Sequence, residues 1–239
     1  MSSTVAELDN VVRTYVALAE TMPQVLITQT DDAIVSIAPF AHPLCNFAVV
    51  LTPAGLPIAR RAGEGRPHFM TYVFDPEIQP NVIEFRLSQE LTLMRVDEPG
   101  AGPPLQPIEG SRERMLLGRF MASQFFGGHR PDLRERIAEA NARASGLEFF
   151  GFNGQNDHKL VGAATLHDIG GVVGIYNVCV AGPNRHRGLG STIVERLLGE
   201  IGRRGKSAVL QCDASLVSWY RQFGFCESGI LRVWSAREI

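Results

Sequence analysis

Apolar residues recur at helical spacing over residues 5–20, after which the pattern changes to short extended runs at 25–28, 33–38, 47–51, 69–74 and 91–96. Across 99–110 Pro and Gly are dense and all periodicity stops, which marks a linker. Beyond it the spacing predicts helices over 112–126 and 132–145, separated by Gly127, Gly128, His129, Arg130 and Pro131. Strands are then predicted at 148–152, 159–167 and 172–180, a helix at 189–203, a strand at 208–213, a short helix at 216–222 and a last extended run at 226–234. Leu189, Ile193, Leu197 and Ile201 repeat every fourth position, so the 189–203 helix has one apolar stripe to lay against a sheet.

The two halves carry these signals in the same order. The run 46–51 stands against 177–181, each opening on an asparagine, and 69–75 stands against 208–213, each ending on an aspartate. After each aspartate comes a short helix, 80–87 or 216–222, and a closing strand. Residues 1–98 therefore read as a degenerate copy of 111–239, with 99–110 as the linker between them. Two unrelated α+β units packed together would give a similar pattern.

Chemistry concentrates where the strand-like run 172–180 meets the helical run beyond it, in the residues 182–191, GPNRHRGLGS. Gly188 and Gly190 remove the Cβ atoms that would keep a diphosphate off the backbone. The new helix offers unpaired N–H groups and the positive end of its dipole, and Arg185 and Arg187 add charge. A P-loop is excluded, because Gly182 and Gly188 are one residue too far apart and Leu189 stands in the place of the lysine. A dinucleotide fingerprint is excluded as well, since Ile193 occupies the position of its third glycine.

Val180, Arg185, Arg187, Gly188 and Gly190 stand in the order V-x4-R-x-R/K-G-x-G, which resembles the acyl-CoA loop of the GNAT superfamily of N-acyltransferases. Downstream, Trp219, Tyr220, Gly224 and Phe225 belong to a segment that resembles the same superfamily's Y-x-x-x-G-F motif, with one helix and one strand between the two. The resemblance covers roughly residues 112–239. It implies a mixed α+β fold, a central β-sheet flanked by helices, here in a tandem arrangement of a degenerate and a catalytic half.

Composition agrees with such an enzyme. At 239 residues, 45% hydrophobic and 20% charged, the chain is long enough for one large domain or two small ones with a packed core. A net charge of −2 and a pI near 6.3 give no basic surplus for nucleic acid or an anionic membrane. Cys45, Cys179, Cys212 and Cys226 form no C-x-x-C pair, and no metal site is expected. The chain has no apolar run of transmembrane length and no basic leader, so a cytoplasmic protein is expected.

In the resembling family the acyl thioester enters a gap where two parallel strands splay, here those of 175–180 and 208–213. The resemblance implies that backbone groups of Val178, Cys179 and Val180 pair with the pantetheine arm of acetyl-CoA. The stretch Arg185, His186, Arg187, Gly188, Leu189, Gly190 and Ser191 would hold the diphosphate. Tyr220 stands where the family carries the acid that protonates the departing CoA thiolate. Asp213 stands where an asparagine is frequent, which puts a cofactor role there in doubt and leaves a role facing the amine. The run 172–177 holds no carboxylate to act as a base, so Glu148, His158, His167, Asp168 or a relayed water remain. None of the cysteines has a histidine partner in a motif, so direct transfer is expected rather than a covalent enzyme intermediate. The expected acceptor is a primary amine of a small molecule, because an added N-terminal half narrows the groove. A protein lysine or N-terminus, or a non-catalytic acyl-CoA-binding module, are the alternatives, and a homodimer is left open.

Overall fold

Alternating apolar runs in both halves of the chain end in one mixed sheet of ten strands rather than two separate ones. The computed structural model describes residues 3–42, 44–126, 131–154 and 159–236. The N-terminal half supplies α1 (Ser3–Glu20), β1 (Leu26–Gln29), β2 (Ala33–Ile37), β3 (Phe47–Val50), α2 (Gly55–Gly63), β4 (Met70–Val73) and β5 (Phe85–Val96). The C-terminal half supplies α3 (Ser111–Phe126), α4 (Pro131–Arg143), β6 (Leu147–Asn153), β7 (Leu160–Ile169) and β8 (Val172–Val180). It continues with α5 (Leu189–Arg203), β9 (Ser207–Cys212), α6 (Val217–Arg221) and β10 (Cys226–Ala236).

Strand order is β1-β2-β3-β4-β10-β5-β9-β8-β7-β6. The order is palindromic: each half lays down an antiparallel set, then a parallel pair, β3 with β4 and β8 with β9, joined across a helix. The closing strands are exchanged, so that β10 pairs with β4 and β5 pairs with β9, and the two pair with each other along most of their length. This is a two-lobed, tandem-like architecture with a continuous backbone ladder through its centre.

The sheet is covered on both faces. On one face of the C-terminal lobe the stripe of α5, with Ile193, Leu197 and Ile201 fully buried, packs on Phe150, Leu166, Val173 and Leu210. On the other face α3 presents Leu117 and Met121 to Phe149, Ala163 and Cys179. Helix α1 buries Val11, Val12 and Ala19 against β2, β3 and β10 of the N-terminal lobe, yet also reaches the strands of the other lobe. The segment 97–110 contains no helix or strand and lies across α5, where Gly102 N–H donates to the Gly199 carbonyl at 2.9 Å and Leu105 N–H to the buried Glu200 carboxylate at 3.1 Å.

One local expectation is corrected. Residues 80–87 form no helix, because Asn81 turns the chain: its side chain accepts from Ile83 N–H at 2.9 Å and its carbonyl accepts from Phe85 N–H at 2.8 Å, where β5 begins. After β3 the chain enters α2, and Pro57 falls in its first turn, where its missing N–H costs no bond. Gly127, Gly128, His129 and His158 lie outside the described residues.

Candidate active site at the β8–β9 gap

Strands β8 and β9 pair for only three positions, Val172 with Ser207, Val173 with Ala208 and Gly174 with Val209. Beyond Gly174 the ladder stops, while β8 stays bonded to β7 on its other side, where Ala163 faces Cys179 and Gly162 faces Val180. The cause is a bulge. Between the Thr165–Tyr176 and Ala163–Cys179 pairs, Ala164 alone opposes Asn177 and Val178, and Asn177 takes the left-handed conformation at φ 54°. Asn tolerates that region better than other residues, and its Nδ2 donates to Thr165 Oγ1 at 3.3 Å. A bulge bends its strand, so the outer half of β8, including Val178, Cys179 and Val180, swings off β9 and presents unladdered backbone to the gap.

The loop at the mouth of the gap is built to leave N–H groups open. Gly188 has φ 80° and caps α5 without any side-chain bond, and no acidic residue stands in the first turn. Thr192 N–H is the first to reach back, to the Gly188 carbonyl at 3.0 Å, so those of Leu189, Gly190 and Ser191 have no acceptor within the helix. A Cβ at Gly188 would stand in open space with nothing within 4 Å, the space a diphosphate would need. His186 is exposed in a left-handed turn at φ 58° and Arg187 is exposed beside it. Arg185 folds back, its Nε donating to the Val180 carbonyl at 3.0 Å, which ties the loop to the end of β8. The fit to an acyl-CoA is therefore one of backbone shape and positive potential.

Tyr220 stands across the gap on α6, 8% exposed, its ring 4.7 Å from that of Trp219 and 5.7 Å from that of Phe225. Trp219 in turn lies against Gly190. Burial, with Cys212 beside it, pushes the Tyr220 hydroxyl up to about 12, so it is a proton donor throughout the neutral range. Asp213 caps the turn Ala214–Leu216: its carboxylate accepts from Ser215 N–H at 2.9 Å, and that bond holds its pKa low. Burial pushes the thiols of Cys45 and Cys179 up to about 12 and that of Cys212 up to about 11, leaving none of the three a thiolate at neutral pH.

The gap opens into a cavity of about 720 Å³ between the sheet and α1, α3 and α4, lined by Val178, Asp213 and Tyr220 among others. The proposed carboxylate bases are not there. Glu148 pairs with Arg204 at 2.5 Å and Asp168 with Lys206 at 2.5 Å, at the closed end of the β8–β9 pair. His167 is buried, its Nδ1 2.8 Å from Thr14 Oγ1, and burial lowers its pKa.

The sequence reading missed α1 as a wall of this cavity. Thr14, Tyr15, Leu18 and Met22 line it, and Tyr15 accepts a bond from Gln211 of β9 at 3.2 Å. Asn10 fastens the helix to the other lobe: its Nδ2 donates to the His167 carbonyl at 2.9 Å and its Oδ1 accepts from the Tyr176 hydroxyl at 2.6 Å. The signal was legible, for Glu7, Asn10 and Thr14 form a polar row at helical spacing on a face that is otherwise apolar, and all three are buried.

Residues 117–225 match the Acetyltransferase (GNAT) family. The chain has a GNAT-like fold in a tandem-like, two-lobed form. Among solved structures it is similar to a GCN5-related N-acetyltransferase from Kribbella flavida, at 14% identity, a TM-score of 0.62, and coverage of 99% of this chain and 95% of that one. A GCN5-related N-acetyltransferase from Sphaerobacter thermophilus is similar at 15% identity and TM-score 0.57, covering 87% and 82%. A tandem GNAT protein from the clavulanic acid biosynthesis pathway is similar at 12% identity and TM-score 0.58, covering 95% and 94%. No curated protein sequence matches the chain. Among the described residues no helix is long and apolar enough to cross a membrane, and no cluster of His, Cys, Asp or Glu could hold a metal ion.

Proposed function

We propose that the protein transfers an acetyl group from acetyl-CoA to a primary amine of a small molecule, directly and without a covalent enzyme intermediate. The observation that carries this reading is the β8–β9 gap, open from Gly174 outward between an uncapped helix start and a cavity that holds Tyr220. Acetyl-CoA supplies the activated acyl carbon. The N–H groups from His186 to Ser191 would receive the diphosphate, with Arg187 adding charge, and the backbone of Val178, Cys179 and Val180 would accept the pantetheine arm as an extra strand. Arg185 supports the loop through the Val180 carbonyl. Tyr220 donates the proton that the leaving thiolate takes up, and its raised pKa keeps that proton available. The buried, protonated thiols of Cys179 and Cys212 support direct attack by the amine. With Glu148 and Asp168 occupied in ion pairs, a base relayed through water is preferred.

The domain reading follows: residues 1–98 are a copy that has lost cofactor binding, 99–110 a linker and 111–239 the catalytic unit. A cytoplasmic setting fits four free cysteines. The test is a melting curve with and without acetyl-CoA. Acetyl-CoA should raise the melting temperature of the wild type, and Gly188→Glu with Gly190→Glu should abolish the rise, since two carboxylates would fill the diphosphate seat with bulk and like charge. An unchanged rise in the double variant would overturn the loop assignment.

A further inference from the structure

The cavity beside Tyr220 has a pronounced charge pattern. Among the described residues its lining contains no Lys, Arg or His, and its one carboxylate, Asp213, is exposed at the rim and already bonded to Ser215 N–H. Three cationic side chains of α3 and α4 are turned to other work. Arg119 pairs with Glu135, Arg114 bonds the carbonyls of Asn141 and Ala144, and Arg136 lies over the Phe40 ring. Inside the rim, the described lining is neutral, with most of its polar groups toward the strands. Toward the strands stand hydroxyl and amide groups, Thr14, Tyr176, Asn177 and Gln211. Toward the helices stand Leu18 and Met22 of α1, Met121 and Phe125 of α3, and Ile137 of α4, with one amide among them, Asn141 of α4, whose buried Oδ1 has no partner.

Resting on the acetyl-transfer reading above, we infer that the acceptor is an apolar monoamine. It is a single primary amine on an aryl or alkyl body without carboxylate, phosphate or second ammonium, bound with the nitrogen toward β8–β9 and the body between α1, α3 and α4. Among the described residues, an acidic group on the acceptor would be taken out of water with no cation to meet it, and a second ammonium would find no carboxylate in the interior. Methionine sulfur and a phenylalanine ring at the helix end suit a polarisable body, aromatic ones best. The amine binds in its neutral form, because no described residue in the interior of the cavity neutralises an ammonium. The N-terminal lobe has thereby kept a function: α1 and the segment before β3, through Leu44, supply one wall of the specificity pocket.

The lining groups do not titrate in the range where this shows. Burial pushes Tyr15 and Tyr220 up to about 12, Tyr176 well up and Cys212 up to about 11, while Asp213 is held low and His167, behind Thr14, is lowered. The Asp168, Arg13 and Asp9 charges that act on His167 face it from outside the cavity lining. Between pH 7 and 9 the apparent KM of an apolar monoamine should therefore fall about tenfold per pH unit, following the free-base fraction of an amine whose pKa is near that of lysine, ~10.

Matched pairs test the inference. With the full chain and acetyl-CoA, release of free CoA thiol is followed for 2-phenylethylamine against phenylalanine, which adds only a carboxylate, and for pentylamine against cadaverine, which adds only a second amine. The expected result is a kcat/KM on the order of 100-fold higher for the first member of each pair. Leu44→Glu, a half-buried position in the N-terminal lobe, should raise the KM for pentylamine and bring cadaverine to within tenfold of it, with the melting shift from acetyl-CoA retained as proof of folding. Equal rates for phenylalanine and 2-phenylethylamine, or for cadaverine and pentylamine in the wild type, would overturn the inference and leave acetyl transfer standing. If no amine releases CoA, transfer falls instead, and calorimetry of the same pairs on the CoA-saturated protein decides the pocket. Tighter binding of the monoamines upholds the inference, and equal or absent binding ends it.

Discussion

The two parallel strand pairs, β3–β4 and β8–β9, occupy matching places in the palindromic sheet and differ in whether they stay closed. β3 and β4 pair at all four positions, Phe47 with Met70 through Val50 with Val73. β8 and β9 part after three. The turns that follow differ in the same sense. After β3, the N–H groups of Leu51 and Thr52 both donate to the Asp32 carbonyl, at 2.8 and 3.3 Å, and those of Gly55 and Leu56 to the Thr52 and Pro53 carbonyls. After β8, the N–H groups that begin α5 have no such acceptor and Gly188 stands in open space. A cofactor site of this kind is thus a set of backbone groups kept from pairing with their own chain. On the proposed reading, a closed ladder and a turn taken up by a neighbouring carbonyl leave no such site.

The two strand pairs should differ most in whether they bind acetyl-CoA. Calorimetry should return one acetyl-CoA per chain, because a closed β3–β4 ladder and satisfied turn leave nothing for a pantetheine arm or a diphosphate to bond. The Gly188→Glu, Gly190→Glu variant should bind none. Two equivalent sites in the wild type, or one surviving in the double variant, would show the N-terminal lobe to be competent.

A smaller effect sharpens the comparison at the reacting end. Tyr220→Phe should lower kcat on the order of 10²-fold with acetyl-CoA affinity unchanged, as for an interaction made only in the transition state. Since burial raises the tyrosine from 10.0 to about 12, its proton is present below that value and lost above it. No alkaline fall in kcat assignable to Tyr220 should appear below about pH 11. Equal rates in variant and wild type would leave Tyr220 as a packing residue against Trp219 and Phe225.

What the sequence disclosed followed from how local each cause is. The stripe of α5, the glycines of its approach and the aromatic segment around Tyr220 are written in a few consecutive residues. The two-lobed order was visible in the sequence of apolar runs and closing aspartates, although Asn46 stands before β3 and Asn177 inside β8. The exchange of β5 and β10 was not visible, since it depends on which of two similar edges each strand meets. The polar row on α1 was legible, but not the cavity it walls, because Thr14 and Tyr15 reach Tyr176 and Gln211 only after more than 150 residues of chain have folded between them. The helix expected at 80–87 failed for a local reason that could have been read: Asn81 follows a proline and makes a turn.

The finest test sets the two matched asparagines against each other. Asn46 stands just before β3, buried, with its Nδ2 donating to the Phe40 carbonyl at 2.7 Å and its Oδ1 accepting from Ala38 N–H at 3.0 Å. It is a staple for the preceding loop. Asn177 lies inside β8 and holds the bulge through its left-handed backbone. Asn46→Ala should lower stability by roughly 1–3 kcal/mol, the cost of leaving buried backbone groups unbonded, with acetyl-CoA affinity unchanged. Asn177→Val should cost only ~1–2 kcal/mol if the bulge persists, because a β-branched residue is strained there. That strain favours the straight strand that closes on β9, so acetyl-CoA should bind several-fold more weakly. Asn177→Gly, which accepts φ 54° without strain, should restore the affinity. If valine and glycine at 177 bind acetyl-CoA equally well, the bulge is not what opens the gap, and the contrast between the two strand pairs rests on the turns alone.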